Sequence, residues 1–237
     1  CDSIYLFMEV IFVMKTLPRL VTAIALLMIV FGLFCTCASA GTTTGGLIYS
    51  VDCDAVTVTG CAWSLSGDVA VPLTIEGMPV RTVGASAFKN QTYITNITLP
   101  DSVESVGASA FEGCTKLATI SLGSGMKTLG DKAFSGCTKL TTLELPTGVN
   151  AIGASAFAGC TILSSVNIPS GVTSIGEYTF SSCKALTSLT LPGGVTSIGQ
   201  RAFSGCTLLA SVNLPASVVS LGEYAFSGCI SLTGVNV

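Results

Sequence analysis

Leu140-Thr-Thr-Leu143-Glu-Leu145-Pro146-Thr-Gly-Val149-Asn-Ala-Ile152-Gly153-Ala-Ser-Ala-Phe157-Ala-Gly-Cys160 is one copy of a pattern that runs through two thirds of the chain. Its phenylalanine recurs without slippage at Phe88, Phe111, Phe134, Phe157, Phe180, Phe203 and Phe226, a fixed period of 23 residues. A short unit of this kind cannot bury its apolar face alone, so successive units must stack as the rungs of a solenoid.

The chemistry of one copy predicts its course. Leu143-Glu-Leu145 alternates apolar and polar residues, as a half-buried strand does. Pro146 has no N–H and ends the strand's ladder. Val149 and Ile152 point inward, and Gly153 permits a turn with positive φ. Ala154 to Phe157 suits one turn of helix, with Phe157 filling the space between rungs, and Gly159-Cys160 returns the chain to the next strand. The expected fold is therefore an α/β solenoid: a parallel β-strand stack with short helical turns and an N-terminal β cap. Its strands are expected near 97–99, 120–122, 143–145, 166–168, 189–191, 212–214 and 235–237.

Outside the repeats the sequence changes character. Residues 1–13 read as sequence upstream of a start at Met14. From there a basic stretch, an apolar run from Leu20 to Cys37 and Ala38-Ser39-Ala40 form an export signal over 14–40, cleaved after Ala40. The alternative is an uncleaved anchor, which would be the one route to a membrane. Residues 41–72 do not fit the period and read as a Gly/Thr linker and short β-segments that cap the solenoid. Residues 73–237 hold about seven repeats. The last ends at Val237 with no closing cap, as in a fragment or a chain that continues.

Composition removes several functions. Charged residues are 10% and apolar residues 49% of the chain, the net charge is −3, and there is no histidine. Ser-His-Asp and Cys-His catalysis and His-bearing zinc sites are excluded. The repeats carry no Lys/Arg cluster of the kind phosphate backbones require, so nucleic acid is not an expected partner. No cofactor or metal motif is present, and the chain reads as non-enzymatic.

The repeats resemble the BspA-like leucine-rich repeats over roughly Leu73 to Val237. The resemblance rests on Leu-Pro or Ile-Pro at 99–100, 145–146, 168–169, 191–192 and 214–215, on Ile-Gly or its variants at 106–107, 152–153, 175–176 and 198–199, and on Ala-Phe at 110–111, 133–134, 156–157, 202–203 and 225–226. Gly123 replaces the proline, Thr179 the alanine and Gln91 the first cysteine. The resemblance implies a secreted or cell-surface protein that adheres to host matrix proteins or to other cells, with no catalytic motif to carry over.

Three residue sets are candidates for sites. Cys114, Cys137, Cys160, Cys183, Cys206 and Cys229 keep the period, one thiol per rung. They do not converge as metal ligands must, and they read as buried structural thiols. Cys53 and Cys61 stand off the repeat in the cap, where they either form a disulfide across a hairpin or are two further buried thiols. The polar strand positions Thr119, Ser121, Thr142, Glu144, Ser165, Asn167, Ser188, Thr190, Ser211 and Asn213 stack rung upon rung on the solvent side. They are the expected contact face for a protein or other cell-surface macromolecule, although Thr and Ser also simply suit an exposed strand. The alternative function is a spacer within a larger envelope protein whose active module lies beyond Val237.

Overall fold

A computed structural model describes residues 39–43 and 45–236. The upstream segment and the export signal fall outside these residues, apart from Ser39 and Ala40. The described chain opens with an antiparallel meander of β1 (Ser39–Thr42), β2 (Leu47–Asp52) and β3 (Ala55–Cys61). Strand β3 then pairs in parallel with Met78–Val83, and β4 (Gly67–Ala70) pairs in parallel with Ile94–Thr98. Tyr49, Val51, Val56 and Val58 of the meander are buried and continue the core of the rungs beyond them.

From there every rung contributes two short parallel strands. The front ladder runs from β4 through Ile94–Thr98, Thr119–Ser121, Thr142–Leu143, Ser165–Val166, Ser188–Thr190, Ser211–Asn213 and Gly234–Asn236. The flank ladder runs through Met78–Val83, Ser105–Val106, Thr128–Leu129, Ala151–Ile152, Ser174–Ile175, Ser197–Ile198 and Ser220–Leu221. Among the repeats the register is offset by one period: Thr142 opposes Ser165, and Ser197 opposes Ser220. The front strands start one to three residues earlier than the alternation suggested. Leu99, Leu145 and Leu191, the residues before proline, turn into the core and lie past the strand ends. The flank ladder is strand where the pattern of one repeat predicts only an inward-pointing loop.

The expected helical turns are not formed; the described residues contain no helix. In the segment after each flank strand, alternate N–H groups leave the rung. Ser109, Phe111 and Gly113 donate to the carbonyls of Asp131, Ala133 and Ser135 on the next rung, at 2.7, 2.8 and 2.8 Å. The residues between them, Ala110 and Glu112, close tight turns onto Gly107 and Ser109. An α-helix would direct all of these donors along its own axis. The left-handed φ of Ser109 (57°) and Gly113 (72°), repeated at Ser155 (58°) and Gly159 (74°), breaks any helix at both ends of the segment. The turn side is thus a third inter-rung seam of backbone hydrogen bonds.

Gly153 also serves differently from expectation, since its φ is not positive. A side chain there would collide with the backbone N of Asp131 on the preceding rung, and at the equivalent Gly107 a Cβ would lie 2.6 Å from the N of Ala85. The glycine is required by the close approach of two rungs, not by a turn.

Behind the three seams lies one continuous apolar interior. The phenylalanine rings stack face to face along it, with centroids 5.1–5.7 Å apart and planes within 13° of parallel. Thr179, at the position of the usual alanine, is fully buried and donates its hydroxyl to Gly176 O at 2.9 Å, so its polar atom is satisfied. Phe157 is wholly enclosed, whereas Phe226 is only partly buried. Phe157→Ala is therefore expected to cost about 3–5 kcal/mol of stability and Phe226→Ala distinctly less. Denaturant midpoints of the two variants measure this, and equal midpoints would contradict a stack of rungs.

Candidate binding face

The front ladder positions the polar residues singled out in the sequence. Its strands alternate so that Ile120, Leu143, Val166, Leu189 and Val212 enter the core while the residues on either side face solvent. Thr119, Ser121, Thr142, Glu144, Ser165, Asn167, Ser188, Thr190, Ser211 and Asn213 are all exposed, and the structure brings them onto one surface. Parallel pairing at a constant offset arranges them as two columns. Thr119, Thr142, Ser165, Ser188 and Ser211 form one; Ser121, Glu144, Asn167, Thr190 and Asn213 form the other.

The N-terminal end of this face is longer than the sequence suggested. Asn96 and Thr98 continue the two columns, opposite Thr119 and Ser121. Thr119 donates its hydroxyl to the Asn96 side-chain carbonyl, and the Asn96 amide donates to the carboxylate of Asp68. This side-chain chain crosses three rungs and reaches strand β4. The 23-residue offset between Asn96 and Thr119 was the signal for it.

Asn167 is not a free contact residue. Its side-chain carbonyl accepts from Leu145 N at 2.7 Å, and its amide donates to Leu145 O at 2.8 Å. A side chain thereby takes the place of a backbone rung-to-rung pair just past the strand end. Asn167→Ala is expected to lower stability by about 1 kcal/mol through loss of this pair, which a thermal melt reads.

The chemistry of the face is that of hydroxyls and amides. Among the ten predicted residues Glu144 is the sole ionisable group. Elsewhere in the described repeats, Arg81, Lys89, Glu104, Glu112 and Lys127 form ion pairs. On the flank, Glu104 accepts from Arg81 at 2.5 Å and Lys127 at 2.6 Å. These hydrogen bonds, Lys127's first, hold its carboxyl below the usual carboxylate range. The front face can donate and accept hydrogen bonds over a long reach.

The cysteine column lies inside. Cys114, Cys137, Cys160, Cys183 and Cys206 are buried free thiols. Each donates its S–H to the carbonyl of the phenylalanine on the preceding rung; Cys114 reaches Phe88 O at 3.0 Å and Cys160 reaches Phe134 O at 3.1 Å. Burial pushes Cys114, Cys160 and Cys206 up to about 12 and raises Cys137 and Cys183 as well. The sequence's alternative of a Cys53–Cys61 disulfide does not hold. Cys61 is a free, buried thiol at the end of β3, while Cys53 lies before the other end of that strand in the exposed β2–β3 turn. Six strand steps of about 3.3 Å separate the two ends, far beyond the roughly 7 Å that a disulfide can bridge.

These thiols favour the folded state only while protonated. Their contribution is complete below the unfolded thiol value of about 8.5 and is lost as pH climbs toward the raised folded values. The denaturation midpoint should therefore hold steady to about pH 8.5 and fall above it. Cys160→Ala should show a shallower alkaline decline, and mass mapping should find Cys114, Cys137, Cys160, Cys183 and Cys206 unlabelled by a thiol reagent until denaturant is added.

Comparison with known proteins supports this geometry. The family model of the BspA type leucine rich repeat region matches residues 81–192 and 173–237, in 6 copies. A leucine-rich repeat protein of T. pallidum is 33% identical with a TM-score of 0.74, over 82% of this chain and 87% of that one. A leucine rich cell surface protein of Faecalibacterium prausnitzii is 31% identical with a TM-score of 0.76, over 84% of this chain and 54% of that one, so this chain spans about half of that relative. The pneumococcal vaccine antigen PcpA, at 17% identity and a TM-score of 0.52, shares the fold alone. No curated protein matches the chain.

Proposed function

The chain belongs to the BspA-type leucine-rich repeat family, and from that premise we propose that it is a non-enzymatic protein, secreted or held at a cell surface, that adheres to proteins of a host matrix or of other cells. The observation that carries this reading is the front ladder: two columns of exposed side chains, hydroxyls and amides apart from Glu144, one period apart from rung to rung. The cell-surface relative from Faecalibacterium prausnitzii supports the location.

The front face lacks the aromatic and arginine anchors that concentrate binding energy in few residues. Affinity would accumulate over rungs, and single alanine substitutions such as Glu144→Ala would change it little. Ser165→Trp with Ser188→Trp would obstruct the middle of the face without entering the core, since both serines are exposed. Titrating immobilised matrix protein with the native chain and the double variant tests the reading. The expected result is a loss of at least about tenfold in affinity, some 1.4 kcal/mol, with an unchanged melting temperature. Unchanged affinity would remove the front face as the contact surface. A second reading, a spacer within a longer envelope protein, is favoured by the greater length of the Faecalibacterium relative. It predicts that the native chain binds no matrix or cell-surface partner in this assay.

A further inference from the structure

The repeats provide their own baseline on the turn side. Three of them read Gly-Ala-Ser-Ala-Phe, at 84–88, 107–111 and 153–157. The serine of each stands in the left-handed region, with φ of 58°, 57° and 58°. The last three rungs depart together: Gly176-Glu177-Tyr178, Gly199-Gln200-Arg201 and Gly222-Glu223-Tyr224. Tyr178, Arg201 and Tyr224 keep the same backbone, at φ of 56°, 52° and 58°. That region suits Gly, Asn or Ser and disfavours bulky side chains, so three large residues in succession are held there against local preference.

They form one column. The Arg201 guanidinium lies between the two rings, 5.8 Å from the centroid of Tyr178 and 5.4 Å from that of Tyr224, and it donates to the Tyr178 hydroxyl at 3.1 Å. Tyr224 is 60% exposed, enough to offer a ring face to a partner. Glu177 and Glu223 flank the column, both exposed, and make no ion pair among the described residues. From residue 145 to 236 the only other charged residue is Lys184, so this cluster concentrates the charge of that stretch.

We propose that the Tyr178–Arg201–Tyr224 column with Glu177 and Glu223 is a second contact surface, for a lysine- or arginine-bearing segment of a partner protein. Tyrosine and arginine are the residues that anchor protein interfaces, and the front face has none. The cation of Arg201 is already engaged by two rings and a hydroxyl, which leaves the carboxylates and the outer face of Tyr224 as the open groups. Both attract a cation, the first by charge and the second through the ring quadrupole. Two carboxylates two rungs apart, about 10 Å, would receive two cationic side chains of one segment. The same cation–ring contact already occurs within the chain, where Lys116 lies 5.0 Å from the Tyr93 centroid. This inference does not rest on the front face being used.

The experiment immobilises a synthetic peptide of alternating lysine and glycine, with a matching glutamate peptide as control, and measures binding of the full chain by surface plasmon resonance. The lysine peptide is expected to bind and the glutamate peptide not. Glu177→Gln with Glu223→Gln should weaken binding about tenfold while leaving the melting temperature unchanged. Tyr178→Ser with Tyr224→Ser, which restores the serine of the 84–88, 107–111 and 153–157 rungs, should weaken it at least as much. The Ser165→Trp, Ser188→Trp variant should bind the peptide like the native chain. Absence of lysine-peptide binding, preference for the glutamate peptide, or unchanged binding in both column variants would overturn the proposal. A lower melting temperature in the tyrosine variant with peptide binding intact would likewise leave the column as an internal brace.

Discussion

The spacing between rungs is the constraint on which the rest of the structure depends. Backbone hydrogen bonds along the front ladder, the flank ladder and the turn side hold neighbouring rungs at the separation of paired strands. At that separation the phenylalanine rings meet face to face, and Gly107, Gly130, Gly153, Gly199 and Gly222, each after a flank strand, can carry no side chain. The thiol of one rung reaches the carbonyl of the last. The phenylalanine peptide shows how completely the groups are used. Phe111 N–H donates forward to Ala133, and its carbonyl accepts from Cys114 N–H in its own rung and from the Cys137 thiol in the next. Buried polar groups left unmatched would be costly, and this arrangement leaves none at that unit.

What could be read from the sequence was whatever the period imposes at equivalent positions. The phenylalanine column, the buried thiols and the polar columns from Thr119 to Asn213 follow once the register is fixed, because parallel pairing repeats the same environment on each rung. What could not be read was how the backbone is satisfied between rungs. Ala-Ser-Ala-Phe has good local helix propensity, yet its alternate N–H groups find acceptors 22 residues away, as Phe111 does at Ala133. Tertiary pairing overrides propensity there. Gly153 is a further case: the obstacle to a side chain is the neighbouring rung, which no local pattern displays. Cys53 and Cys61 are near in sequence but separated by an extended strand, which a spacing of eight positions does not reveal.

The candidate face was legible in its members and less so in their engagement. All ten residues are exposed on one surface, but Asn167 is occupied with Leu145, and Asn96 and Asp68 extend the face into β4. Alternation predicts which way a side chain points; it does not predict what it meets there. The column of Tyr178, Arg201 and Tyr224 was visible in the sequence only as a shared departure from Ala-Ser, and its coherence depends on consecutive rungs placing it in a single stack.

Because the hydrogen bonds of all three seams run along the solenoid axis, the rungs are coupled mainly to their immediate neighbours. Under tension applied through its ends, such a chain need not fail all at once. A terminal rung, in contact on one side only, can detach while those behind it keep their seams. Each detached period of 23 residues frees about 80 Å of contour, set against roughly 5 Å of stacked height. A solenoid built this way lengthens in discrete steps and dissipates load as it does so.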